Sequence, residues 1–548
     1  MATVVPVIPP VAATLPDLLR EAVAARPGDP LLSVRTSTAR DSMMTTAEFG
    51  SAVDNASARL AGAVERGARV LIQGAPGPAY AAALFATARA GIVLVPLDIR
   101  MTDDTIDRIA SLTAPSAILL GSGSTLEATA IPRVAALPVI DLDDLIDPPP
   151  PEAAAALAAR LPAEPDEVFE ILCTSGSTGD PKGVMITQRM LLTSLVRCAQ
   201  IMPGGRNRFV SILPLSHLTE QVAGIMYVVY AGAQVEYVTT LRPDVLAAAI
   251  RGQRATALVV VPQVLELLLR GIRREAEKSG KGGTFRWALR LAPLLPHGAR
   301  RRLFASVHEA LGGALTRVFC AGAYLPPTIQ RNWEALGVEV IQGYGSTEAG
   351  FVCATAFGDT PVDRIGRVFP PMEVRLEPDG ELAVRGPSVL PGYWNDPGAT
   401  AAAFTADGWY RTGDFCQIDA TGNLRHVGRT RSLIALPNGL NVHPEDVEAA
   451  LTDAGLAEPV VYDAGDGRIA VTYRVGAALS DPIAGDAAGE RAAVLRVVKA
   501  ANGRLAPHQR VVVVEPYPEP EFPRTHTRKA QRSVVAARMR GERPTAVD

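Results

Sequence analysis

Along the first 145 residues the hydrophobic pattern switches between two periods. Short apolar runs of strand length occur at Arg69–Gln73 (RVLIQ), 91–96 (GIVLVP) and 116–120 (SAILL). Between them lie an alanine-rich helical stretch at 79–90 and a helix candidate at 102–112. Strands alternating with helices at this spacing predict a parallel sheet covered on both faces. Residues 147–166 (DPPPPEAAAALAARLPAEPD) read as a surface connection carrying a short helix. The alternation resumes from Phe169 to about Tyr344. Beyond Asp359 the runs shorten and alternate, at 373–376 and 381–384, around the turn signal Pro378-Asp379-Gly380. This predicts a small antiparallel or barrel-like lobe ending near Arg429. From Ser432 onward helical runs (445–451, 491–502) mix with strand-like ones (460–462, 469–473, 510–514). The fold class expected is α/β, with two sheet-based subdomains, a small β lobe and a final α+β unit.

Composition narrows the class. The 548 residues (57.7 kDa) are 48% hydrophobic and 20% charged, enough for a large core. With 54 basic and 57 acidic side chains the formal charge is −3, which argues against a nucleic-acid-coating protein. Apolar runs fall short of the roughly 20 residues that cross a bilayer, so no transmembrane segment is expected. The five cysteines are scattered and never form a CxxC pair, which predicts neither disulfides nor a zinc cluster and suits a reducing compartment. The start of the chain lacks a basic n-region and is broken by Pro6, Pro9 and Pro10, unlike a signal peptide. A cytoplasmic location is the resulting expectation. Only five of the basic residues are lysine: Lys182, Lys278, Lys281, Lys499 and Lys529. In a chain that writes arginine almost everywhere, lysine marks positions where a compact ammonium could be required.

The sharpest chemical signal is TSGSTGDPKG, 174–183, directly after the strand-like VFEILC. Thr174, Ser175, Ser177 and Thr178 offer hydroxyls, Gly176 and Gly179 let backbone N–H groups come close, and Lys182 adds charge. That set suits a polyphosphate. It is not a Walker A loop, because Pro181 precedes the lysine and Gly183 follows it. Here the chain resembles the adenylate-forming superfamily of acyl-CoA synthetases, luciferases and peptide-synthetase adenylation domains.

Further segments in the same order extend the resemblance. QGYGSTEAG, 342–350, is similar to the family's second nucleotide segment. It implies that Tyr344, followed by Gly345, packs on adenine, that Thr347 bonds the α-phosphate and that Glu348 holds Mg²⁺. Gly322-Ala323 matches the small-residue turn whose backbone meets adenine. GWYRTGD, 408–414, implies that Asp414 accepts the ribose hydroxyls, and Gly428-Arg429 adds Arg429 as a nucleotide contact. PRTHTRKAQR, 523–532, resembles the segment of the catalytic lysine, which assigns Lys529 to the transition state of adenylation. Asn438-Gly439 matches the loop approaching the pantetheine arm of CoA. The resemblance divides the chain into an N-terminal domain (1–429), a hinge (430–431) and a mobile C-terminal domain (432–548).

LPLSHLTEQ, 213–221, resembles the acyl-CoA synthetase segment whose histidine faces the substrate carboxylate, here His217. The stretch 213–219 contains no acid, whereas amino-acid-activating relatives place an aspartate there. The implied function is ATP- and Mg²⁺-dependent activation of a carboxylic acid, a fatty acid first, to acyl-AMP, then transfer to CoA. Two alternatives remain: a ligase that loads a carrier protein or takes an unusual biosynthetic acid, and a catalytically lapsed ATP-binding scaffold. Oligomeric state stays open. Departures from the family pattern stand at Gln188 (usually His), Arg431, Ser432 and Arg528 (usually Gly).

Overall fold

Two large sheets carry the chain's first 370 residues in the computed structural model. It describes residues 12–37, 43–124, 126, 131–175, 181–202, 207–240, 242–429, 433–436, 441–465, 467–479, 487–524 and 530–542. The first sheet has six strands in the order Val139–Asp141, Ala117–Leu120, Arg69–Gln73, Val93–Pro96, Val168–Ser175 and Pro181–Thr187. All neighbours are parallel except the last two, which form a hairpin. The second has nine strands, with Arg208–Ser211, Ala257–Val260, Arg317–Cys320 and Glu339–Ser346 side by side in its centre.

Strand membership departs from the sequence reading in one place and includes a strand that reading did not mark. Pro30–Arg35 pairs in parallel with Gln234–Val238 of the second sheet, where Arg35 forms a buried ion pair with Glu236. The hairpin at 168–187 joins the first sheet instead of opening the second, through Leu94 opposite Glu170. Periodicity marks a strand but carries no information about a partner two hundred residues away.

The alanine-rich stretch becomes helix Pro78–Ala90, buried on nearly every side. It touches Val93–Pro96 of the first sheet and Pro30–Arg35 of the second. Small side chains let one helix sit between two sheets, and a helix apolar all round is a core helix. The expected helix in the 147–166 connection forms at Pro151–Ala158.

The predicted β lobe is an open antiparallel sheet of Glu373–Leu376, Glu381–Arg385, Tyr410–Ile418 and Leu424–Arg429. The last unit holds Val460–Asp463, Ile469–Tyr473 and Val513–Pro516 against helices Pro444–Asp453 and Ala487–Asn502. Its core (Val442, Val447, Leu451, Val471, Val494) is separate from the others. Its third strand begins at Val513, later than the expected 510, because the Asn502 amide occupies both the N–H and the C=O of Val511. The hinge at 430–431 lies outside the described residues.

Candidate active site

The hairpin at 168–187 sets the first part of the site. Its register puts Thr174 opposite Lys182 and Ser175 opposite Pro181 at the open end. Gly183 is required there, since a Cβ would meet Ile171 at 2.8 Å and Trp394 at 3.2 Å. The Lys182 ammonium lies 5.2 Å from the centre of the Tyr393 ring, which steadies it at the cavity wall. Gly176, Ser177, Thr178 and Gly179 lie outside the described residues, as do Gly439 and Lys529 and the departures Arg431, Ser432 and Arg528.

The strand Glu339–Ser346 supplies the second part by folding back antiparallel on Gly350–Ala354. The reversal is tight: a Cβ on Gly345 would strike the Gly350 carbonyl at 2.1 Å, and Gly350 itself has φ +63°. This turn brings Glu348 to the open end of the 168–187 hairpin, where the Thr174 hydroxyl reaches the Glu348 carboxylate at 3.5 Å, with Thr347 beside it on the cavity wall. Among the described residues no three acidic, His or Cys side chains form a metal cage. One carboxylate beside a hydroxyl and a lysine fits Mg²⁺, which keeps waters and substrate oxygens as its other ligands.

Asp414 organises the third part. It is buried and accepts from the Tyr344 hydroxyl at 2.7 Å, from Arg429 Nε at 2.8 Å and from His426 Nε2 at 3.4 Å. Burial alone would raise its pKa, but His426 and the Arg429 charge outweigh it and hold the carboxyl at about 2. Burial and the same carboxylate push the Tyr344 phenol well up, so it stays a donor. Asp414 therefore holds Tyr344 and Arg429 at the cavity and does not itself line it.

His217 precedes the short helix Leu218–Glu220. Its Nε2 is 3.6 Å from Oδ2 of Asp98, an electrostatic contact longer than a hydrogen bond. The Asp98 side chain is fully buried and grips Arg100 through Nε at 2.8 Å and Nη2 at 2.6 Å. Burial opposes ionisation, yet the Arg100 hydrogen bonds and charge, with His217 close by, keep Asp98 well below the usual carboxylate range. Gln221 ties this segment to the 168–187 hairpin by donating to Glu170 Oε1 at 2.6 Å and to the Leu215 carbonyl at 3.0 Å.

These parts surround two adjoining cavities of about 320 and 440 Å³. Thr174, His217, Gly322, Ala323, Tyr344 and Thr347 line both. The smaller is bounded by Asp98, His426, Arg429 and Glu445. The larger carries Lys182 and Glu348 at one end and runs between Ile201, Met202, Val222, Val259, Val264 and Phe319. A cavity bounded by charged side chains thus shares its His217 wall with one that is polar at its Lys182–Glu348 end and apolar beyond. Gly322, at φ +83°, makes the turn after Arg317–Cys320 that opens the wall between them.

Asp98, Arg100, His426 and Glu445 escaped the sequence reading. The one available signal was the pair Asp98–Arg100 immediately after an apolar strand. Gln188 serves the fold away from the site. Its buried side chain accepts the N–H of Leu15 at 2.8 Å, holding the start of helix Leu15–Ala25, and it lines neither cavity. On either side of the Lys529 segment, Arg524 bridges to Ala530 and Gln531 N–H bonds the Pro523 carbonyl. Arg532 then binds Glu445 and Glu448, each at 2.8 Å. All five cysteines are free, and burial pushes the Cys173 thiol at the cavity wall up to about 12, so no thiolate nucleophile is supplied. Among the described residues no helix is long and apolar enough to cross a membrane.

The fold and this two-chamber cleft define a nucleotide-binding α/β enzyme class. The AMP-binding enzyme family model matches residues 19–394, and the chain belongs to that family. It is 31% identical to 3-[(3aS,4S,7aS)-7a-methyl-1,5-dioxo-octahydro-1H-inden-4-yl]propanoyl:CoA ligase of Mycobacterium tuberculosis, over 79% of this chain and 83% of that one. It is 30% identical to a long-chain-fatty-acid–CoA ligase of Mycobacterium bovis, over 59% of this chain and 56% of the relative. The chain thus spans little more than half the length of several curated relatives it matches. The crystal structure of an anthranilate CoA ligase in complex with anthranoyl-AMP has the same fold, with TM-score 0.78, 18% identity and 96% of both chains covered.

Proposed function

We propose that this chain activates an apolar carboxylic acid with ATP to an acyl adenylate, releasing pyrophosphate, and then transfers the acyl group to the thiol of CoA. One observation carries the reading: a cavity with phosphate-binding chemistry at its Lys182–Glu348 end continues into an apolar pocket, with His217 on its wall. A carboxylate costs too much to bury in the apolar part, so it stops at the junction while its chain fills the pocket. His217, steadied by Asp98, receives it there, with Arg100 beside it. Lys182 and the hydroxyls of 174–178 hold the β- and γ-phosphates, and Thr347 the α-phosphate. Glu348 would hold Mg²⁺, which would neutralise phosphate charge.

The carboxylate oxygen attacks the α-phosphorus and the P–O bond to pyrophosphate breaks. Lys529 donates to the charge that develops there. In the second step the thiol sulfur attacks the acyl carbon, its proton leaves and AMP departs. Tyr344, Ala323 and Gly322 frame the base. Arg429 and His426 border the sugar side, and a ribose diol would share Asp414 with its present donors. Residues 1–429 form the body of the enzyme and 432–548 the moving domain, hinged at 430–431. The separate apolar core of the last unit supports that division.

ATP–pyrophosphate exchange over a panel of aliphatic, aromatic and amino acids tests the first step. Exchange with fatty or bulky apolar acids is expected. Silence across the panel would make the chain an ATP-binding scaffold. Product mass spectrometry with CoA in one arm and holo-carrier protein in another tests the acceptor, and thioester on CoA is expected.

A further inference from the structure

Residues 278–308 contain no acidic side chain and seven lysines or arginines, in a chain whose formal charge is −3. They follow helix Pro262–Lys278, whose first turn lines the apolar cavity through Gln263 and Val264. Helix Gly282–Leu291 packs back on it, burying Phe285 and Ala288. The outward face of that second helix has an unusual make-up. Trp287 is 60% exposed and Leu294, in the turn that continues the helix, is 81% exposed. Arg286 and Arg290 flank them at helical spacing, and Lys278 and Lys281 stand exposed at the near end. Glu275 and Glu277 are the exposed acidic groups at this edge, Glu277 lying 3.8 Å from Arg286. Three of the eleven exposed large apolar side chains among the described residues fall in this short region, Leu303 being the third, and a fourth, Leu267, lies on the preceding helix.

We infer that this face docks on an anionic lipid bilayer. The pairing of cations with exposed Trp and Leu on one helical face carries that choice of partner. Cations draw the face to acidic headgroups, while an indole and a leucine gain by entering the headgroup–acyl boundary. A nucleic acid or an acidic protein would use the charge and leave Trp287 and Leu294 in water. Docking needs no turnover. Its use depends on the acyl-activating reading, since an apolar acid dissolves in the same bilayer, and Leu267 on the helix that lines the apolar cavity lies one turn beyond Val264.

The test is sedimentation of the full chain, without ATP or acid, with phosphatidylcholine vesicles containing or lacking about 30% phosphatidylglycerol. Tryptophan emission is read in parallel. Of the four tryptophans, Trp333 and Trp409 are buried and Trp394 is half-buried, so Trp287 dominates any response to the vesicle surface.

Binding to the phosphatidylglycerol vesicles with a blue shift is expected. It should weaken at least about tenfold in Trp287→Ser/Leu294→Ser, in Arg286→Glu/Arg290→Glu and at about 0.5 M salt. Trp287→Phe should keep the binding and lose the shift. Absence of binding, binding without the shift, or unchanged binding in the Trp287/Leu294 variant would each overturn the proposal. A dimer on size exclusion that disappears in that variant would also overturn it, because the face would then be a contact between copies. Pyrophosphate exchange with a soluble acid should be unchanged in these variants, which separates this test from that of the activity.

Discussion

Oδ2 of Asp98 lies 3.6 Å from Nε2 of His217 while the same carboxylate grips the Arg100 guanidinium, so one buried acid positions two cationic-capable groups at the chamber junction. Asp98→Asn removes the charge and keeps the shape. KM for the acid should rise about tenfold with little change in KM for ATP, by analogy with other orienting partners. Steady-state kinetics with each substrate varied checks this. An equal rise in both values would show that Asp98 serves the fold and not the junction.

Lys529→Ala should abolish acid-dependent pyrophosphate exchange while ATP binding, read by calorimetry, stays within about threefold, since the ammonium is needed where charge develops. Loss of ATP binding in step with exchange would move the lysine from the transition state to the ground state.

Arg532 follows Lys529 by three residues and holds the chain to Glu445, on the wall of the polar chamber, and to Glu448. Arg532→Ala leaves two carboxylates facing each other and should cost on the order of 3 kcal/mol in the last unit. Arg532→Lys should recover part of this, because one ammonium cannot make the two-pronged contact. Limited proteolysis near 525–529 reads the loosening. Cleavage rates equal to the parent in both variants would rule the anchor out.

Burial pushes Glu170 up to about 8 against the opposing Gln221 hydrogen bond, and Glu220 likewise to about 8. A carboxyl raised in the folded state contributes stability that is complete below its ordinary value near 4.5 and lost as pH rises through about 8. The unfolding midpoint should therefore fall between about pH 4.5 and about pH 8 and level off above that, and Glu170→Gln should flatten that fall. Thermal melts across the range decide it, and parallel curves for parent and variant would dismiss the assignment.

Much of the site was legible because its chemistry is written in contiguous motifs. A hydroxyl- and glycine-rich run after a strand marks a candidate phosphate loop by local chemistry alone, and QGYGSTEAG carries its own turn. The partners of those motifs were not legible. His426 reads as one more residue of an alternating strand until the sheet places it beside Asp414. Glu445 is an ordinary helix-start acid until Arg532, 87 residues on, reaches it.

Sequence alone determined the class of elements, the order of the motifs and the family, since helical and strand periods and turn chemistry depend on neighbours within a few residues. Tertiary structure decided which sheet each strand joined, which buried carboxylate stands beside which cation or imidazole, and that the two cavities share a wall at His217. Those facts rest on contacts between residues far apart in the chain, which exist only once burial of apolar surface has brought the sheets together.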